Sequence, residues 1–212
     1  MFNNNNKYDI IHKVFRVDKN RKVIKKKMNS EIIEILNSDK INEQKLFGII
    51  PEMKILKTSP VNHPAHKFDI LTHTLESVNL TKNKTLKLAL LLHDIGKPES
   101  MTYDEKGITR FWGHNEKSVE ISKPILERLE VDPEESRLIL QLIEYHDKKI
   151  ESVEEMKDMK KRLGSKSLGL LIEMQEADLL THADWYRDKK VPLLNKVKDM
   201  YKNIIKEEEL VK

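Results

Sequence analysis

From Asn29 onward the apolar residues recur at the three-to-four spacing of helices that bury one face, almost without interruption. The spacing predicts a helix capped by Asn29 or Ser30 and running to about Leu36, then a second from Glu43 to Ile50 before Pro51. Residues 60–64, bounded by Pro60 and Pro64, read as a loop. Asp69 is placed to cap a helix to about Leu80, and the Leu80-Thr81-Lys82-Asn83 segment turns the chain into the greasiest stretch, which continues to about residue 96. The loop 101–111 carries a small hairpin turn at Glu105-Lys106-Gly107. Helices follow at about 114–130, 133–147, 151–163, 166–183 and 192–209. Only the start departs from this period: residues 9–17 alternate as a strand does, and Lys19-Asn20 ahead of Lys22-Val23-Ile24 suggests a short β-hairpin. The expectation is one all-α domain carrying a short N-terminal extension.

Composition narrows the chemistry. A chain of 212 residues supports one sizeable domain. It has no cysteine, which removes disulfides, thiolate metal sites and cysteine nucleophiles and leaves nitrogen and oxygen to hold any metal. No stretch approaches a membrane span and the first residues lack an apolar signal core, so a cytoplasmic protein is expected. The net charge of +4 is unevenly placed: residues 1–40 hold ten Lys/Arg against five Asp/Glu, the remainder 29 against 30. Lys19, Arg21, Lys22 and Lys25 to Lys27 therefore form either a solvated arm or a contact surface for a polyanion such as RNA.

One stretch is out of keeping with a plain core helix. Leu88-Ala89-Leu90-Leu91-Leu92 runs straight into His93-Asp94 and breaks through Gly96 and Pro98. A carboxylate there meets the negative end of the helix dipole, a penalty of about 0.3–1 kcal/mol, and partial burial worsens it unless a cation lies opposite. In an antiparallel pairing of helices 69–80 and 84–96, His73 lies about seven residues before the turn and His93 about ten after it. At roughly 1.5 Å per residue their heights differ by less than one turn. His73, His93 and Asp94 then converge as a site for a divalent ion such as Mn²⁺, Fe²⁺, Co²⁺, Ni²⁺ or Zn²⁺, with Mg²⁺ a further candidate.

His73, the pair His93-Asp94 and the distant Asp178 in "EADLL" resemble the H…HD…D signature of the HD-domain metal-dependent phosphohydrolases. "HKFDILTHTLESV", "ALLLHDIGKPE", "RFWGHNE" and "LIEYHD" also follow the order and spacing of the HD domains attached to bacterial CCA-adding tRNA nucleotidyltransferases, over about residues 46–182. The nucleotidyltransferase head is missing: residues 1–60 contain no glycine-rich GS…DxD motif, so CCA addition does not transfer. The resemblance divides the chain into a basic extension, 1–40, and an HD phosphohydrolase domain, 41–212. It implies that His73, His93, Asp94 and Asp178 ligate one metal. It further implies that His114 and His146 either hold a second ion or contact the substrate phosphate, and that His66 and Asp69 line the pocket. Asp69 is equally a helix cap; Asp184 and His182 compete with Asp178 as the last ligand, and Asp178 is preferred because Leu170, Leu171, Met174, Ala177, Leu179 and Leu180 make a helix face around it.

The implied chemistry is hydrolysis of a phosphomonoester or phosphodiester by a metal-activated water. Lys97 holds a phosphoryl oxygen, and His114 gives a proton to the leaving oxygen or grips the phosphate. Nucleotides or RNA-end phosphates, such as 2′-nucleotides and 2′,3′-cyclic phosphates, are the expected substrates; a non-catalytic nucleotide- or RNA-binding module is the alternative. His12 and His63 read as surface residues, and Trp112 as either a base-stacking or a packing side chain. Met156 and Met159 mark the inner face of an amphipathic helix, and the terminal helix is expected to pack on the domain or on a second subunit.

Overall fold

The structure, a computed structural model, describes residues 30–38 and 40–210; the expected N-terminal hairpin lies outside the described residues. The described chain is all-α apart from one two-stranded ribbon. Helix α1 spans residues 30–37, α2 Glu43–Ile49, and a single 3₁₀ turn at Pro51–Met53 leads into α3, Lys54–Thr58. Then come α4 (Ile70–Asn79), α5 (Lys84–Leu92), the antiparallel strands β1 (Thr102–Tyr103) and β2 (Thr109–Arg110), α6 (His114–Arg128) and α7 (Pro133–Tyr145). α8 (Val153–Leu163), α9 (Ser165–Leu180) and α10 (Asp184–Leu210) complete the chain.

Local chemistry starts these helices where the sequence implied. The side chains of Asn42, Asp69, Asn83, Asp132 and Ser152 accept hydrogen bonds from backbone N–H groups of the turns they open. Each such cap contributes about 1 kcal/mol. α5 is apolar all round because it is central: α4, α7 and α9 pack against it, and Leu86 and Leu88 to Leu92 are all buried. α1 belongs to this core as well. Ile32, Ile35 and Leu36 are buried in it, although the sequence reading placed them in the extension.

Two glycines set the path into the site. Gly96 lies so close to the start of α6 that a Cβ there would sit 2.5 Å from Ser118 N and 2.7 Å from His114 O. Its own N–H donates to Ser118 Oγ at 2.9 Å. Gly113, at φ 76°, supplies the left-handed residue from which α6 begins.

Besides α1 in the core, and α5 ending at Leu92 instead of about residue 96, the helices differ most from expectation in two places. The 3₁₀ turn and α3 occupy a region read as a simple stop at Pro51. The last helix starts at Asp184, eight residues before the expected start, because Pro192 lies inside it. Proline is a sound signal for a first turn, but at an interior position it removes one backbone hydrogen bond that neighbouring contacts can offset. α10 is held along α9 and α8 by ion pairs Lys198–Glu176 and Lys160–Glu208. Tyr201 Oη donates to Ser165 O at 3.0 Å. The helix thus packs on its own domain.

Candidate metal centre

Four histidines and two aspartates meet where the helix ends gather. His73 comes from the middle of α4, His93 caps the C-terminus of α5 and Asp94 follows it. His114 opens α6, His146 caps α7, and Asp178 lies in the last turn of α9. Asp94 and His93 are each 0% exposed. His93 Nε2 lies 3.2 Å from Asp94 Oδ2 and 3.3 Å from Asp178 Oδ1. His73 Nε2 is 2.8 Å from Asp178 Oδ1, and His114 Nε2 is 3.5 Å from Asp94 Oδ1.

The rings are oriented by their other nitrogens. His93 Nδ1 is 2.7 Å from Leu90 O, His114 Nδ1 2.9 Å from Phe111 O, and His146 Nδ1 2.7 Å from Ile143 O. A carbonyl only accepts, so in each ring Nδ1 carries the proton, and in the neutral imidazole Nε2 offers a lone pair. His73 Nδ1 faces the Thr181 hydroxyl at 2.7 Å, which also contacts Asp178 O. Helix geometry explains the repetition: at a C-terminal turn the carbonyl three residues back has no intrahelical donor. α5 and α7 each use it to hold a ring.

This arrangement fits a divalent cation on its own evidence. His93 Nε2 and Asp94 Oδ1 are fully buried and have no hydrogen-bond partner, a costly condition that a metal would relieve. His114 Nε2 and His146 Nε2, two acceptors in the neutral rings, face each other at 3.2 Å. Donor atoms fall into three overlapping groups: His73, His93 and Asp178; His93, Asp94 and His146; His114, His146 and Asp147. Within each group the atoms lie within 4.8 Å of one another.

The charged groups of the cluster hold one another's protonation states. Burial would raise the Asp94 pKa, yet His93 and Lys97 hold it well below the usual carboxylate range. Burial works against His93 too, but Asp94 and Asp178 push it up to about 10. Lys97 Nζ donates to Asp94 Oδ2 at 2.6 Å. It is likewise held above its ordinary value by Asp94 and Asp178 against the cost of burial. The cation that the buried Asp94 requires is thus partly present as Lys97, but Oδ1 is left over. Burial lowers His73 and His114. His66 falls to about 2 through burial and its neighbours Lys97, His73 and His182.

A cavity of about 390 Å³ opens beside the cluster. Lys97, His66, His114 and His146 line it. Asp69 does not: it is exposed and commits its carboxylate to Thr72, accepting from N at 2.9 Å and from Oγ1 at 2.6 Å. The pocket role implied for it gives way to the cap. His63, read as surface, is a half-buried part of the wall, with its Nε2 3.2 Å from Arg110 Nη1. Asp184 is exposed and pairs with Arg187 at 3.0 Å, whereas His182 lines the cavity and stacks on Tyr186. Trp112 stands at the rim, 80% exposed, and packs in no core.

Sequence reasoning missed Thr181, Arg110, Asp147 and Tyr186. Arg110 and Asp147 stand within the blocks "RFWGHNE" and "LIEYHD", so adjacency was their available signal. Tyr186 had none, because its helix was expected to begin later.

The HD domain family profile matches residues 61–186. The chain belongs to the HD-domain family. No curated protein matches the chain significantly. An HD domain implies metal-dependent phosphohydrolase activity in general and a divalent metal as its cofactor, and the buried His/Asp groups here could hold one. Among the described residues, no helix of this HD domain is long and apolar enough to cross a membrane.

Proposed function

We propose that this protein hydrolyses phosphate esters of nucleotides or RNA ends, with 2′-nucleotides and 2′,3′-cyclic phosphates as first substrates. The observation that carries the reading is the buried, unpartnered Asp94 Oδ1 with His114 Nε2 and His146 Nε2 at 3.5 and 3.8 Å, beside a cavity walled by Lys97 and Arg110. The finer substrate class is supported by the block resemblance to HD domains of CCA-adding enzymes.

His73, His93, Asp94 and Asp178 would hold one ion. His114 and His146, with Asp147, would hold a second or grip the phosphate directly. A bound divalent ion would acidify a water toward neutral pH and offset charge developing on the phosphoryl group. The nitrogen and oxygen donors suit Mn²⁺, Fe²⁺, Co²⁺, Ni²⁺ or Zn²⁺.

The chain's own groups do the rest. Lys97, fixed by Asp94 and lying 5.4 Å from the Phe111 ring centroid, meets a nonbridging oxygen. Arg110, anchored by Asp104 at 2.7 Å, offers a second positive contact at the cavity mouth. Where no second ion is held, a proton taken up from solvent between the facing Nε2 atoms of His114 and His146 would be given by His114 to the leaving oxygen. His66, with a pKa near 2, stays neutral and serves as a hydrogen-bonding wall.

The test is a metal-replete screen of the purified protein against p-nitrophenyl phosphate, bis-p-nitrophenyl phosphate and a nucleotide panel, with Asp94→Ala alongside. Turnover by the wild type that Asp94→Ala abolishes is expected. Equal inactivity of the two with every metal would favour the non-catalytic nucleotide- or RNA-binding module.

A further inference from the structure

The cluster opens in a second direction. A lobe of about 610 Å³ runs from the metal-ligand end along the first half of α10. It shares His146, Asp147, Asp178, His182 and Tyr186 with the cavity already described. Both lobes fall in the range of about 300–1,000 Å³ that accommodates a small ligand. A small phosphomonoester needs only one of them. A reacting phosphate at their common wall leaves room for substrate on both sides.

The second lobe has a distinct chemistry. Four lysines line it: Lys148 and Lys149 from the loop after α7, Lys190 and Lys196 from α10. None has a carboxylate partner among the described residues, whereas Lys198 and Lys202 farther along α10 pair with Glu176 and Asp199. Glu151 is the one acid lining the lobe apart from Asp147 and Asp178 at its inner end. Leu193, Leu194 and Val197 separate or flank the α10 lysines, and Leu193 stays 50% exposed. Lys190 and Lys196 are six residues apart, about 9 Å along the helix axis.

Cations separated by that distance, with apolar ledges between, do not suit the tight cluster of charges on one nucleoside triphosphate. They suit a strand in which phosphates alternate with bases, since unpaired lysines track a backbone and apolar surface receives base faces. We propose that this lobe binds the continuation of a single-stranded oligonucleotide whose reacting phosphate sits at the His/Asp cluster. The proposal rests on the phosphohydrolase reading and adds to it a substrate longer than a mononucleotide.

The probe is a fluorescein-labelled tetraribonucleotide, titrated with the full chain in chelator, where no turnover occurs, and read by anisotropy. Unlabelled mononucleotide and ATP serve as competitors. The wild type is expected to bind the tetranucleotide at least tenfold more tightly than either competitor. Lys149→Glu/Lys196→Glu should lose that advantage, while Lys149→Arg/Lys196→Arg retains it. The slope of log affinity against log salt should flatten in the glutamate variant by about 1.4, for two phosphate contacts on a single strand at about 0.7 each.

Equal binding by the wild type and the glutamate variant would overturn the proposal. So would competition by ATP as strong as that by the unlabelled tetranucleotide. A third overturning result is binding that disappears only when Lys22 and Lys25 to Lys27 are reversed in charge, which assigns the strand to the N-terminal segment. Hydrolysis of p-nitrophenyl phosphate by the metal-loaded wild type is measured in parallel. Its absence with tetranucleotide binding intact strikes the phosphohydrolase reading and leaves the groove standing.

Discussion

Replacing Thr181 by valine removes a hydroxyl with almost no change in shape, at a position 6% exposed. In the wild type that hydroxyl lies 2.7 Å from His73 Nδ1 and 2.7 Å from Asp178 O. By donating to the carbonyl it can accept Nδ1–H, which turns the lone pair of His73 Nε2 toward the ligand cluster. Valine offers no acceptor. His73 then keeps its proton on Nε2, where Asp178 Oδ1 waits at 2.8 Å, and the ligating atom is blocked.

Two effects follow and can be separated. Loss of a buried hydrogen-bonding group costs the metal-free protein about 1–3 kcal/mol, read as a fall in Tm of roughly 2–4 °C per kcal/mol for a chain of this size. Removing the group that orients a ligating histidine typically weakens metal binding by about 10–100-fold, or about 1.4–2.7 kcal/mol. Titration calorimetry with Mn²⁺ or Ni²⁺ reads the second effect, and circular dichroism melts in chelator read the first. A folded Thr181→Val protein that binds either ion within about twofold of the wild type would refute the assignment of His73 Nε2 as a donor held in place by Thr181.

Three further predictions concern the same centre. His93, at about 10 in the metal-free protein, is protonated at neutral pH, while Asp94 and Asp178 are already ionised. An ion binding through His93 must therefore displace its proton, so affinity rises with pH up to about 10. Calorimetry at pH 7.5 in buffers of different ionisation enthalpy should count about one proton released, and a count of zero contradicts it. Lys97→Met removes the cation beside Asp94 and should lower kcat by about 10²–10³-fold without weakening metal binding; unchanged turnover would remove Lys97 from the chemistry. Gly96→Ala drives a Cβ into the α6 backbone and should cost at least about 1–3 kcal/mol, with His114 displaced. A melting curve superimposable on the wild type would show that the turn has room to move.

The helical period and the ligand types were legible in the sequence because both are local. Periodicity is decided among residues three or four apart, and the Asp69 cap acts within its own first turn. The pairing of His73 with His93 across α4 and α5 was legible too, since a short turn between two helices fixes their relative height. The rings lie with centroids 5.8 Å apart. Other features depend on segments far apart in the chain. That Asp178, and not Asp184, faces His73 across 105 residues is decided by how α9 packs on α4. That Lys97 neutralises one oxygen of Asp94 and leaves the other bare is decided by burial, which no residue spacing encodes. The lysine-lined lobe exists because α10 already begins at Asp184, runs through Pro192 and lies against α9, whereas a local proline rule starts the helix only at residue 192. Short-range order came from the sequence alone; the convergence of charges, and the cost that makes them functional, arose only when packing excluded water from around them.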